Sequence, residues 1–316
     1  MTLSCSDIVL DIDAESLAWA TKNVRLNGLE NRISLYKREP TDALLSLDEM
    51  KIQALDFVMT NPPFYQSVSD MNHSADAKSR PPSTVCTGTT TEMICDGGEV
   101  GFVTRILEES LVLRDRVQWY TSMFGKAASV KEFVNKLRQE YIVNYAVTEF
   151  VQGNQTRRWA VGWSFGPLRP AQRVARSMSS AVWKQVLPLA TEVDLVDFPA
   201  QNDIKPLVNR ITETLESLDL ISWQWDNSTL SGLGRAAQNT WSRAWKRKQK
   251  FGRENDKGNE SATSKTVNPE ICKFGFKIAV QVEQSKTRVS LRWVEGYDQP
   301  IFESFRGFMQ TTLAGS

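Results

Sequence analysis

The chain has 316 residues, 41% of them apolar and 24% charged, enough for one large or two ordinary cores. With 38 basic against 37 acidic residues the net charge is +1, so no global field marks a polyanion partner and any nucleic-acid site has to be local. His73 is the only histidine, which argues against His-dependent triads and multi-His metal sites.

In chain order, Asp7–Asp11 reads as a short strand. Ala14–Asn27 has helical spacing, with Leu17, Ala20, Val24 and Leu26 apolar and Gly28 as its cap. Ile33–Tyr36 and Leu55–Thr60 read as strands, the second an apolar run that runs into Asn61-Pro62-Pro63-Phe64. Gln66–Gly98 is long, polar and rich in Ser, Thr, Pro and Gly, and is expected to be a functional or disordered loop. Glu99–Leu113 is an amphipathic helix, Val117–Phe124 a strand and Val130–Gln139 a helix; Asn144–Phe150 and Trp159–Phe165 are strands suited to an edge hairpin. Strands alternating with helices imply a parallel doubly wound α/β sheet.

A second block starts near Ala171. Glu192–Phe198 is expected to be a strand, Ile204–Leu218 a helix and Leu220–Trp225 a strand. Phe274–Val282 and Arg288–Trp293 form a hairpin, and Gln299–Leu313 a closing helix. That order predicts a small α+β domain. Between its halves, Arg235–Arg253 carries Arg235, Arg243, Lys246, Arg247, Lys248, Lys250 and Arg253 with Trp241, Trp245 and Phe251, and no acid. Basic residues among aromatics suit a phosphate backbone and unpaired bases; a solvated charged helix or a nuclear import signal would look the same. Glu254–Asn268 reads as a polar connector.

The four cysteines (Cys5, Cys86, Cys95, Cys272) have no paired metal spacing and fit a reduced, intracellular protein. No apolar run approaches the roughly 20 residues of a membrane span, and the first residues do not read as a signal peptide. Neither a membrane nor a metal is expected as a partner.

Two places carry chemistry. The prolines of Asn61-Pro62-Pro63-Phe64 lock φ and remove backbone donors, so the Asn61 amide and the Pro62 carbonyl offer two acceptors to one exocyclic NH₂. Phe64 can stack on a flat base. The alternative is a proline-rich turn after a strand. At the end of the first strand, Asp11-Ile12-Asp13 places carboxylates where ligands bind in doubly wound sheets. Asp11 can accept the hydroxyls of a ribose, and Asp13 can cap the next helix; a capping role for the pair fits equally well.

The chain resembles the RNA adenine-N(6) methyltransferases, eukaryotic U6 small nuclear RNA methylases and their bacterial large-subunit ribosomal RNA relatives. The matching pieces are Asp11–Leu17, Asn61-Pro62-Pro63-Phe64, Arg80-Pro81-Pro82-Ser83, Glu92-Met93 with Gly97-Gly98-Glu99, Trp119–Met123 with Gly125-Lys126, and Thr148–Gly153 with Arg157-Arg158-Trp159-Ala160, within about residues 7–165. The resemblance implies a class I S-adenosylmethionine methyltransferase domain over 1–168. An accessory α+β domain, a candidate for RNA binding, is expected over 169–316, with a basic insert at 235–268. The resemblance also implies S-adenosylmethionine as cofactor, with Asp11 on the ribose, Thr41 near the cofactor adenine and Asn61 close by. The target amine would be held by Asn61 and Pro62, in a turn stiffened by Pro63, with Phe64 on the base. Arg80, Lys126, Arg157 and Arg158 would line the RNA path, with Lys246, Arg247 and Lys248 contributing from the insert; solvated surface charge is the plain alternative for each. The implied partner is structured RNA, small nuclear or ribosomal, and the implied location nuclear, cytoplasmic or both.

One departure is marked. The family's first strand and Gly-rich cofactor turn would precede Asp11, and no glycine stands there. The sheet is therefore expected to lack its first strand, leaving two strand edges open and binding S-adenosylmethionine weakly. A truncated methylase and a non-catalytic RNA-binding descendant both fit this. A methylase of protein or small-molecule amines is the third reading, disfavoured by the arginines and the basic insert.

Overall fold

The computed structural model describes residues 6–76, 90–152, 156–178, 181–200, 203–245, 247–248 and 271–315. Arg80 with its Arg-Pro-Pro-Ser loop, Lys246, Lys250, Phe251, Arg253 and the 254–268 connector lie outside them. The chain divides into two compact units, Met1–Tyr145 with Glu149–Phe165, and Ala146–Thr148 with Gly166–Ser316.

The first unit is built from β1 (Asp7–Asp11), α1 (Ala14–Leu26), β2 (Ile33–Lys37), β3 (Leu55–Thr60), α2 (Val68–Asp76), α3 (Thr90–Met93), α4 (Gly98–Leu113), β4 (Val117–Phe124), α5 (Ala127–Gln139), β5 (Tyr145–Gln152) and β6 (Thr156–Trp163). Asp13 caps α1 by accepting the Ser16 N–H at 2.7 Å. Gly28, at φ +63°, ends it. The segment expected to be one loop from Gln66 to Gly98 instead contains α2 and α3. Local capping explains α2, since Ser67 Oγ accepts the Asp70 N–H and the Asp70 carboxylate accepts the Gln66 N–H.

Its strands form two sheets. β1 and β2 pair in parallel, Asp11 opposite Lys37. The other sheet has the order β3-β4-β6-β5, with β3 parallel to β4 and β6 antiparallel to β4. No described strand joins β1 to β3, so the expected open edges are present. The apolar side chains there are correspondingly exposed, with Phe57 at 56%, Met59 at 78% and Trp19 of α1 at 56%.

The core lies on the other side of the larger sheet, under α4 and α5. α4 buries Val103, Ile106, Leu107, Ser110 and Leu113, and α5 buries Val130, Phe133, Val134 and Leu137, both at helical spacing. Trp163 stacks on Tyr120 with ring centres 5.6 Å apart, meets Phe133 at 5.2 Å, and donates its indole N–H to Ser110 Oγ at 3.0 Å. Burial pushes the Tyr120 phenol well above its ordinary value, and it donates to the Arg114 carbonyl.

The second unit contains α6 (Gln172–Ala175), β7 (Glu192–Pro199), α7 (Lys205–Glu216), β8 (Ser222–Asp226), β9 (Ser231–Ala236), β10 (Phe274–Val282), β11 (Lys286–Glu295) and α8 (Gln299–Ala314). Its antiparallel sheet runs β7-β11-β10-β9-β8. Phe274, Phe276, Trp293, Phe302 and Phe305 form an aromatic core with Ile211 and Leu215 of α7 and Met309 of α8. β9 is the element the sequence does not announce. It takes Arg235 out of the supposed basic segment, since that guanidinium forms a two-bond ion pair with Glu295 at 3.1 Å. What remains is helical at 243–245 and 247–248, with Arg247 and Lys248 exposed.

Candidate active site at the Asn-Pro-Pro-Phe turn

β3 ends at Thr60 and delivers Asn61 to the surface, while Pro62 is buried and Pro63 and Phe64 are half-buried. The Asn61 amide is exposed and makes no hydrogen bond among the described residues. The prolines provide the stiffness: two consecutive fixed φ angles hold the turn without backbone donors.

The turn is braced from behind. Tyr65 forms a parallel bridge to Ile94, its N–H donating to the Met93 carbonyl and its carbonyl accepting the Cys95 N–H, both at 3.0 Å. The Cys95 thiol donates to the Gly98 carbonyl. Burial, and then the neighbouring Asp96, push that thiol's pKa up. Ser16 Oγ, in the first turn of α1, donates to the Glu92 carboxylate at 3.2 Å. A run of contacts therefore ties the start of α1, beside Asp11, to the Asn-Pro-Pro-Phe turn.

Asp11 is half-buried at the carboxyl end of β1. Its Oδ1 accepts the Asp13 N–H at 2.9 Å, and Oδ2 makes no hydrogen bond among the described residues. Of the Asp-x-Asp pair, Asp13 is the cap of α1, and Asp11 bonds its own turn through one oxygen. Thr41 is exposed on a turn that α4 holds in place. The Leu44 and Leu45 N–H groups donate to the Glu109 carboxylate at 2.8 and 2.7 Å, and Arg105 donates to the Pro40 and Asp42 carbonyls.

The expected RNA-path cations among the described residues, Lys126, Arg157 and Arg158, are already engaged. The Arg158 guanidinium lies 5.5 Å from the Phe64 ring centre and Arg157 pairs with Glu149 at 3.1 Å. Lys126 pairs with Asp70 at 3.2 Å and lies 5.6 Å from the Tyr65 ring centre. A cavity of about 480 Å³ opens beside Phe64 between α4 and α5, lined by Gln66, Gly98, Arg105, Lys126, Glu132 and Lys136 among others. Among the described residues no group of three or more His, Cys, Asp or Glu could hold a metal ion. Among the same residues, no helix is long and apolar enough to cross a membrane.

The family described as RNA methyltransferase matches residues 6–167, half of the chain. The chain belongs to this RNA methyltransferase family. Among its relatives, the U6 small nuclear RNA (adenine-(43)-N(6))-methyltransferase of Schizosaccharomyces pombe is 32% identical over 295 residues, covering 93% of this chain and 69% of that protein. The RNA N(6)-adenosine-methyltransferase mettl16 of Danio rerio is 29% identical over 341 residues, covering 97% and 72%. The solved hMettl16 catalytic domain in complex with the MAT2A 3'UTR hairpin 1 is 36% identical over 51% of this chain and 55% of that one, at a TM-score of 0.46. Another solved relative, the amino-terminal domain of human METTL16, is in complex with SAH. In this RNA methyltransferase the sequence singled out Asn61, Phe64 and Asp11, but assigned no role to Glu99, whose carboxylate accepts the Gly125 N–H at 2.6 Å and the Lys126 N–H at 3.0 Å. The Gly-Gly-acid run before a helix was the available signal.

Proposed function

We propose that this chain transfers a methyl group from S-adenosylmethionine to the exocyclic N(6) amine of an adenine in structured RNA, with U6 small nuclear RNA the leading substrate. The observation that carries the reading is Asn61: an exposed amide without a partner among the described residues, on a proline-stiffened turn beside a half-buried aromatic, in a chain of this family. A small nuclear RNA substrate would place the activity in the nucleus.

The residues fit the cofactor in one testable respect: Asp11 Oδ2 is available to a ribose hydroxyl while Oδ1 is held by its own turn. When bound, S-adenosylmethionine supplies an electrophilic methyl on a sulfonium. Asn61 Oδ1 and the Pro62 carbonyl oxygen accept the two N–H bonds of the adenine amine and so fix the direction of its lone pair. Phe64 holds the base plane by stacking, worth about 1–3 kcal/mol per base. The methylated amine, acidic while it carries the extra proton, releases that proton to water, so no side chain serves as general base. Positioning and the replacement of solvent around the amine supply the rate. Arg157, Arg158 and Lys126 would line the RNA path; each would exchange an internal partner for a phosphate. Arg247 and Lys248 would add affinity without choosing the base.

One observation favours a second reading, RNA binding without catalysis: β1 and β3 lie in separate sheets, so no described strand joins the one that carries Asp11 to the one that carries Asn61. Incubation with S-adenosylmethionine and a U6 hairpin RNA, followed by nucleoside mass spectrometry, separates the two. N(6)-methyladenosine that disappears in Asn61→Ala supports the proposal. Tight RNA binding with no methylated nucleoside at millimolar cofactor supports the second reading.

A further inference from the structure

The second turn that meets Phe64 is built with unusual economy. α4 starts from Gly98 at φ +58°, where a Cβ would lie 3.1 Å from Gln66 Cγ and 3.5 Å from the Phe64 carbonyl oxygen. The positive φ is what favours glycine there, since the backbone after Phe64 would be met at ordinary contact distance. The next residue is Glu99, 2% exposed. A buried carboxylate is costly unless its oxygens are hydrogen-bonded. Here both oxygens accept backbone N–H groups, those of Gly125 and Lys126, the residues that lead from β4 into α5. Lys126 is the N-cap of α5 and has no side-chain acceptor to offer, so Glu99 supplies negative charge at that helix start as well as at its own. Gly125, held in this way, lies against Phe64. A Cβ there would stand 2.9 Å from Phe64 Cδ1, 3.2 Å from Cε1 and 3.4 Å from Glu99 Oε2.

We infer that Glu99 is a positioning residue for the methylation site: by pinning Gly125 it fixes a wall against which the Phe64 ring is set at the angle that receives a flat base. The chain of force is short. The carboxylate holds two amides, one of those amides belongs to the residue with no side chain, and that missing side chain is the space the ring occupies. A glutamine at 99 keeps the volume but turns one acceptor into an NH₂ group facing an N–H donor. The β4–α5 turn then moves away, and the ring gains room. An alanine at 125 does the reverse, pushing the ring out with Glu99 intact.

This inference rests on the reading of Phe64 as the base-stacking ring, and the test keeps the two apart. Para-fluorophenylalanine is placed at position 64 of the full chain and its ¹⁹F resonance is followed in wild type, Glu99→Gln and Gly125→Ala. A second label at Phe133, in the core under α5, controls for loss of fold. Wild type should give one narrow line. Both variants should shift or broaden the position-64 line while the position-133 line stays. Single-turnover methylation of a U6 hairpin RNA should fall between about 10- and 100-fold in both, the scale expected for misplacing a reacting group by about 1 Å, with RNA affinity within about twofold of wild type. An unchanged position-64 line in Glu99→Gln and Gly125→Ala overturns the inference. So does a position-64 change accompanied by an equal change at position 133, which would make Glu99 a fold-stabilising residue only. If Phe64→Ala methylates and binds RNA as wild type does, the base-stacking reading fails, whatever the ¹⁹F lines show.

Discussion

Arg158 stands over the ring that the base would need, and this makes a two-sided prediction. The guanidinium carbon is 5.5 Å from the Phe64 ring centre and the Arg158 Nη1 donates to the Arg157 carbonyl at 3.0 Å. A cation on a half-exposed ring is worth about 0.5–1 kcal/mol, so a base displacing it loses roughly two- to fivefold in affinity. Once displaced, Arg158 is free to meet a phosphate, and each phosphate met in this way steepens the log–log salt dependence by about 0.7–0.9. The two effects have opposite signs and different salt responses. Arg158→Ala should therefore bind RNA more weakly at low salt, with a slope shallower by about 0.7–0.9. At high salt, where the phosphate attraction is screened, it should equal or exceed wild type by up to about fivefold. Arg158→Lys should restore the slope. Fluorescence anisotropy across a salt series measures this. Parallel lines for wild type and Arg158→Ala would refute the reasoning, because they would show that the side chain meets no phosphate in the complex.

Asp11→Asn keeps the Oδ1 bond to the Asp13 N–H and turns the other, charged acceptor into an uncharged NH₂ donor. Calorimetric titration should show S-adenosylmethionine affinity lowered by about 10- to 150-fold, the value of a hydrogen bond to a charged group of about 1.5–3 kcal/mol. In the second unit, Arg288 and then Lys286 hold the Asp197 carboxyl below its ordinary value of 3.8. A depressed carboxyl stabilises above its unfolded pKa and loses that contribution as pH falls through the folded value. Urea unfolding should accordingly show Asp197→Asn less stable than wild type at pH near 7 and equal to it at about pH 2. Replacing Arg247 and Lys248 by glutamine should lower affinity for related and unrelated RNAs alike. It should also flatten the salt slope by up to about 0.7–0.9 for each phosphate left unneutralised; an unchanged slope would leave those residues as a solvated face.

How much of this was legible in the sequence depended on whether the information was local. β3, β4 and β10 end where the sequence places them, because their apolar runs and alternation decide the matter within a few residues. β9 was hidden because Ser231-Gly232-Leu233-Gly234 reads as a turn. Its glycines serve distant rings instead: a Cβ at Gly232 would lie 2.2 Å from Trp223 Cη2, and one at Gly234 2.2 Å from Phe276 Cζ. The structure places β1 and β3 in separate sheets. The turn from Asn61 to Phe64 was legible because two consecutive prolines cannot continue the strand ladder and fix the backbone that follows it. Glu99 was not, since its partners Gly125 and Lys126 lie 26 and 27 residues further along the chain and offer only backbone amides. Nor could the sequence show that Lys126, Arg157 and Arg158 are already engaged, by Asp70, Glu149 and Phe64.

Above all, the Asn61 amide is held to act on the reacting amine and on nothing else. Its exposure and its lack of a partner among the described residues mean that Asn61→Ala should leave the thermal midpoint unchanged, as surface substitutions within about ±0.5 kcal/mol do. The decisive measurement is the single-turnover rate of adenine N(6) methylation by Asn61→Ala at saturating RNA and excess S-adenosylmethionine. The expected result is a fall of about 10²–10³, the cost of one acceptor removed from a preorganised site, with RNA affinity and fold intact. A rate within about twofold of wild type, well short of one missing hydrogen bond, would contradict that role.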